Sequence, residues 1–136
     1  MYPMIEVHLP KLKHNVESIV NLCKEAGINT IFGVTKVLAG NLEAIDMVIK
    51  SGITHIADSR IENLKLFKDY KLPKVLLRLP MQSEVSECVK YADISLNSEL
   101  ETIILLNKEA QKQGKIHQII LMFDLGDLRE GIFYLD

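Results

Sequence analysis

The sequence predicts a parallel α/β fold, and three observations carry the prediction. Short apolar runs alternate with amphipathic stretches of helical period along the whole chain. Successive runs lie roughly twenty or more residues apart, the spacing of strand–helix–strand units rather than hairpins. The runs are continuously apolar, as expected when helices cover a sheet.

Taken in order, Ile5-Glu6-Val7-His8-Leu9 is a short strand candidate. Pro10 suits the first turn of a helix, which carries Leu12, Val16, Ile19, Val20 and Cys23 on one face down to Gly27. Thr30 to Val37 reads as a buried strand, Ala39-Gly40-Asn41 as a loop, and Ile45, Val48 and Ile49 as the inner face of a helix that Gly52 ends. The cycle repeats with a strand at His55-Ile56-Ala57-Asp58 and a helix from Ile61 to Tyr70 that turns Leu64 and Phe67 inward. Lys74 to Arg78 is the next strand, and Ser83 to Tyr91 a helix with Val85, Cys88 and Val89 apolar. Asp93 to Asn97 is a strand, and Ser98-Glu99-Leu100-Glu101 matches a capping box opening a helix through Ile103, Ile104 and Ala110 to Gly114. Ile116 to Phe123 is the most apolar strand, left by a loop at Asp124-Leu125-Gly126-Asp127.

Composition narrows the function classes. The chain has 136 residues, 48% hydrophobic and 25% charged, with net charge −2, so it suits one ordinary globular domain or part of one. Lysines alternate with acids, there is no tryptophan, and neither a basic patch nor an aromatic–basic stripe points to nucleic acid or an anionic membrane. No apolar run reaches membrane-span length, and Met1 to Glu6 lacks the pattern of a secretory leader, so a cytoplasmic protein is expected. Cys23 and Cys88 form no metal or redox motif and read as buried free thiols. Phosphate-binding glycine loops, H-E-x-x-H and a nucleophile elbow are all missing from the sequence. The four histidines are isolated, the acids at Asp124, Asp127 and Glu130 lack calcium-loop spacing, and no metal is expected.

Each apolar strand finishes in polar residues: Thr35 and Lys36, Asp58 and Ser59, Arg78, Asn97 and Ser98, then Asp124. In parallel α/β folds the ligand site lies at the C-terminal ends of the strands. Serine there is equally well explained as a helix cap, but neither Lys36 nor Arg78 caps a helix N-terminus. Lys36 directly follows Ile31-Phe32-Gly33-Val34-Thr35. Partial desolvation at a strand mouth would favour a nucleophilic neutral amine; the alternative is a lysine that snorkels to water.

Gly33-Val34-Thr35-Lys36-Val37-Leu38-Ala39-Gly40 resembles the segment of fold-type III pyridoxal-phosphate (PLP) enzymes in which lysine holds the cofactor as an internal aldimine. The resemblance continues at Ala57 to Leu64, Leu76 to Met81 and Tyr91 to Leu100, and ends at Asp124 to Gly131. Together these segments look most like the ornithine racemase branch of the alanine/ornithine racemase family. The resemblance implies a PLP-dependent amino-acid racemase acting on ornithine, another basic amino acid or alanine, with Lys36 as one of two acid/base groups. It implies that Arg129 hydrogen-bonds the phenolic oxygen of PLP, although Leu125, Asp127, Leu128 and Glu130 depart from the alanine-racemase pattern. The alternative for Arg129 is a solvated loop arginine. Arg78 and Asn97 are further candidates for PLP or the substrate carboxylate; Arg78 could instead pair with Asp58 or Asp124. Asp58 and Asp127 could receive a basic substrate's side-chain ammonium.

The family's barrel has eight strands and around 250 residues. The chain would supply about five strands of that (β/α)₈ barrel, with residues 1–136 as its N-terminal part. The resemblance also implies a C-terminal β-domain, a homodimer, and a tyrosine from the partner subunit as second base; Tyr91 and Tyr134 do not match it. The long apolar last strand predicts self-association. Other readings are a PLP-binding homeostasis protein and an inactive fragment.

Overall fold

A computed structural model describes residues 3–135. It contains helices α1 (Leu9–Glu25), α2 (Leu42–Lys50), α3 (Ile61–Leu66), α4 (Val85–Tyr91) and α5 (Leu100–Lys112). The strands are β1 (Phe32–Val34), β2 (His55–Asp58), β3 (Lys74–Leu76), β4 (Ile94–Asn97), β5 (Gln118–Leu121), β6 (Phe123–Asp124) and β7 (Ile132–Phe133). Five strands form one sheet in chain order, β1-β2-β3-β4-β5, so the expected parallel α/β class holds. The pairings of β3 with β4 and β4 with β5 are parallel, with Val75 opposite Ile94 and Asn97 opposite Leu121.

The chain divides into two compact units, Met1–Ile56 and Ala57–Asp136. In the first, α1 packs on α2. Val20, Ala44, Ile45, Val48 and Ile53 are buried there. Asn41 caps α2 by accepting from the Ala44 N–H at 3.0 Å, satisfying one of the free donors of the first turn. Thr54 and His55 both donate their backbone N–H to the Ile31 carbonyl, which ties the start of β2 to the entry of β1. In the second unit, α4 packs against both α3 and α5. The expected inward residues Leu64, Phe67, Val85, Cys88 and Val89 are all buried there.

Several local expectations fail for physical reasons. Ile5 to Leu9 is not a strand: residues 3–8 are irregular, Met4 and Ile5 stand exposed, and the helix has already begun at Leu9. Thr30 to Val37 shrinks to Phe32–Val34, because Lys36–Leu38 coils into a 3₁₀ turn that ends on Ala39 in the left-handed region (φ 47°). The α3 helix stops at Leu66, short of Tyr70, and Phe67 is buried from the turn beyond it. The capping box at Ser98 does not form. Glu99 is the N-cap residue without a side-chain cap bond, so Ser98 sits one position too early. The last apolar run breaks at Met122 into β5 and the short β6, and Ile116 lies outside both. Of the two thiols, Cys88 is buried and Cys23 only half-buried.

Candidate functional site

Lys36 opens the 3₁₀ turn that follows β1. It is exposed, which replaces the expected desolvated amine by a solvent-facing one. Its chain neighbours Val34, Val37 and Leu38 line an apolar hollow shared with Leu12 and Val16 of α1, and Lys36 is not among the lining residues. Gly33 packs closely on Ile53 and Val48: a Cβ there would lie 2.4 Å from the terminal methyl of Ile53, which would have to shift. The strand that leads to Lys36 thus packs closely at Gly33 while Lys36 itself is exposed.

Arg129 lies on a loop whose form has clear local causes. The Asp124 carboxylate accepts the backbone N–H groups of Gly126 at 2.7 Å and Leu128 at 3.2 Å. Those bonds, the Gly126 one foremost, hold its carboxyl below the usual aspartate range. The loop's base is closed by the parallel pairing of β6 with β7, Phe123 opposite Ile132. Gly131 (φ 128°) is required there, since a Cβ would stand 2.7 Å from the Asp124 nitrogen. On this held loop the Arg129 side chain remains 75% exposed and, among the described residues, its ion pair is with the adjacent Glu130, at 3.3 Å.

Arg78 is differently disposed. Its Nη1 and Nη2 donate to the two oxygens of Glu84 at 2.7 and 2.8 Å, its Nε to the Ser59 carbonyl at 2.8 Å, and Nη1 also to the Leu79 carbonyl at 3.1 Å. The partner is Glu84 rather than the expected Asp58 or Asp124. Hydrogen bonding from Arg78 is the main cause that lowers the Glu84 carboxyl below its ordinary value. Four of the five guanidinium N–H donors are thereby used inside the protein. Asp58 is buried and accepts from the Arg60 N–H and the Asn63 amide, so it is tied into the start of α3; Asp127 is exposed.

Asn97, last residue of β4, is 1% exposed. Its Nδ2 donates to the Ser95 carbonyl and to Ser95 Oγ, both at 3.0 Å, while its Oδ1 is buried without a hydrogen-bond partner among the described residues. Ser95 Oγ in turn meets His117 Nε2 at 2.8 Å. The sequence offered no signal for this cluster, because Ser95 and His117 are 22 residues apart and each looks isolated. The tyrosines are equally local: Tyr91 lies beneath the ammonium groups of Lys65 and Lys90, and Tyr134 packs on Phe133. No group of acids, histidines and cysteines able to hold a metal occurs among the described residues, and no described helix is long and apolar enough to cross a membrane.

The family model of the alanine racemase N-terminal domain matches residues 7–136. The chain is 48% identical over 133 residues to ornithine racemase of Acetoanaerobium sticklandii, covering 98% of this chain and 37% of that protein. It is 34% identical over 136 residues to lysine racemase of Thermotoga maritima, covering 98% and 38%. Among solved structures, an alanine racemase of Clostridium difficile superposes with a TM-score of 0.73 at 20% identity, over 90% of this chain and 32% of that one. PipY of Synechococcus elongatus, solved without PLP, superposes with a TM-score of 0.60 at 17% identity, over 74% and 49%. The chain thus spans little more than a third of the length of the curated racemases it matches. It belongs to the alanine racemase N-terminal domain family.

Proposed function

We propose that the chain is the cofactor-lysine portion of a cytoplasmic, PLP-dependent amino-acid racemase, acting on ornithine or another basic amino acid. The observation that carries this reading is the 48% identity to an ornithine racemase along nearly the whole chain, the segment around Lys36 included. The residues present fit the cofactor. An accessible primary amine is what covalent capture of an aldehyde requires, and Lys36 supplies one at the end of β1. Arg129 supplies a guanidinium on a loop already ordered by Asp124, suited to an anionic oxygen. PLP, when bound, supplies an electron sink for charge developing at the substrate α-carbon.

The side chains then divide the work. Lys36 Nζ holds the cofactor and carries the α-proton on one face of the substrate. Arg129 orients the ring and keeps its phenolic oxygen ionised. Arg78 and Asn97, each at the end of a strand, act from within the protein, with most of their donors already committed. The small-molecule amino acid is one partner, and a second copy of the protein is the other.

The full-length protein that carries this chain, supplied with PLP, is to be incubated with L-ornithine, L-lysine and L-alanine and followed by chiral chromatography. Appearance of D-ornithine or D-lysine, abolished in Lys36→Ala, is the expected result. Inversion of alanine alone would overturn the basic-substrate reading, and cofactor binding with no inversion of any of the three would overturn the racemase reading.

A further inference from the structure

The cluster behind Asn97 has a defined hydrogen-bond direction. His117 Nδ1 lies 3.2 Å from the Ala92 carbonyl, which can only accept, so Nδ1 carries the hydrogen. A neutral imidazole then presents Nε2 as a lone pair, and the Ser95 hydroxyl donates to it at 2.8 Å. Ser95 Oγ, its hydrogen committed, accepts from Asn97 Nδ2. The second Nδ2 hydrogen goes to the Ser95 carbonyl, so the carboxamide cannot turn over without setting Oδ1 against that carbonyl at 3.0 Å. Ser95 is fully buried, and an unmade bond there is costly.

The end of this chain is connected to the Arg129 loop. The Asn97 backbone carbonyl accepts from the Met122 N–H at 2.8 Å, and the Met122 carbonyl accepts from the Ile132 N–H at 2.8 Å. Met122 and Ile132 flank the two ends of the loop that bears Arg129.

We propose that His117 is a positioning residue: through Ser95 it fixes the Asn97 carboxamide and so the strand end from which the Arg129 loop is hung, and the network is best satisfied with the neutral Nδ1–H imidazole. This rests on the reading of Arg129 as a cofactor contact, but the relay itself does not require that reading. A proton added at Nε2 turns that nitrogen into a donor to Ser95 Oγ, which then accepts from both Nε2 and Asn97 Nδ2 and must give its own hydrogen to the weak sulfur acceptor of Cys88. Asn97 offers no better acceptor, because turning Oδ1 toward Ser95 would set it against the Ser95 carbonyl.

The groups around His117 are few. The α4 helix contributes Cys88, whose Sγ is 4.0 Å from Nε2 and whose thiol is pushed up to about 11 by burial, so it stays neutral. Asp93 before β4 favours the imidazolium, and Lys115 before β5 opposes it. The α5 helix lines the same hollow with Ile103, Leu106, Asn107, Ala110 and Gln111, none of which titrates. Burial is the largest influence and lowers the imidazole below its ordinary 6.5. The sign follows: a depressed folded-state value gives stability that is fully present above 6.5 and is lost as pH falls through the folded value.

The test uses the ¹⁵N-labelled chain, following the His117 ring nitrogens and the Asn97 side-chain amide by NMR between neutral and mildly acidic pH. His117→Gln places a non-titrating acceptor near the Nε2 position and serves as the control at each pH. Asn97 amide exchange should match that control above the His117 step and run about fivefold faster than it below the step, the factor one ordinary hydrogen bond gives. Ser95→Ala should show the faster exchange at every pH. An Asn97 amide indifferent to the His117 step in the wild type, or a His117 ring protonated at Nε2 when neutral, would overturn the relay. The wild-type titration decides this even if Ser95→Ala does not fold. Should the Asn97 response hold while Arg129→Ala leaves PLP affinity unchanged, the cofactor reading of Arg129 falls and the relay stands.

Discussion

Arg78 and Arg129 lie in the same unit in opposite states of constraint. Arg78 is gripped by both oxygens of Glu84 and two backbone carbonyls, and its side chain is 29% exposed. Arg129 pairs with the next residue and is 75% exposed, yet the loop that bears it is held by Asp124, Gly131 and the β6–β7 pairing. In one case the protein has committed the guanidinium; in the other it has ordered the backbone and left the guanidinium available. Lys36 follows the second pattern, an exposed amine above a strand that Gly33 allows to pack closely. Order under a site and freedom at its tip are thus separate properties, supplied by different residues.

The contrast can be broken at several points, beginning with the core of the unit that carries both arginines. Phe67→Ala removes a fully buried ring and should cost about 3–5 kcal/mol in urea unfolding, because the cavity cannot fully collapse. A cost near zero would mean that the turn after α3 is not part of the core.

Next comes the committed pair. Glu84→Gln should destabilise by about 1 kcal/mol, the low end for a charged hydrogen-bond partner since both side chains remain partly exposed. Its acid dependence has a fixed sign. The folded-state carboxyl lies below its ordinary 4.5, so the stabilisation is fully present above that value and disappears as pH falls through the folded value. Glu84→Gln should flatten that part of the pH–stability curve, and an unchanged curve would contradict the pairing.

Asp124→Ala should loosen the Arg129 loop more than it affects the sheet. Hydrogen exchange should speed up at the Gly126 and Leu128 amides and stay constant in β4. The smallest effects on stability belong to the available residues. Lys36→Ala and Arg129→Ala should each stay within about 0.5 kcal/mol of wild type, as surface substitutions do, while lowering PLP retention. A larger loss of stability from Arg129→Ala than from Glu84→Gln would reverse the comparison.

The sequence revealed elements wherever local pattern and tertiary role coincide. The strand His55–Asp58 and the inner face of α2 at Ile45 and Val48 appear as read, because a buried strand or helix face is visible in the order of apolar residues. Ile5 to Leu9 shows the converse: alternation suggests a strand, but a strand exists only with a partner, and none of its residues pairs. The capping box failed by a single residue at Ser98, a shift no propensity resolves. At the site, the spacing of polar residues after apolar runs placed Lys36, Arg78 and Asn97 at strand ends, and the resemblance singled out Lys36 and Arg129. What the sequence could not show was commitment. Which acid among many grips Arg78, and that Ser95 and His117 lie between Ala92 and Asn97, are settled by folding.

The central claim is that the Lys36 amine is the point of PLP attachment. The protein is to be incubated with PLP, reduced with borohydride, digested and mapped by mass spectrometry. A pyridoxyl group on the peptide spanning Phe32 to Leu38, absent in Lys36→Ala, is the predicted outcome. A label distributed over other lysines and unchanged in Lys36→Ala would contradict it.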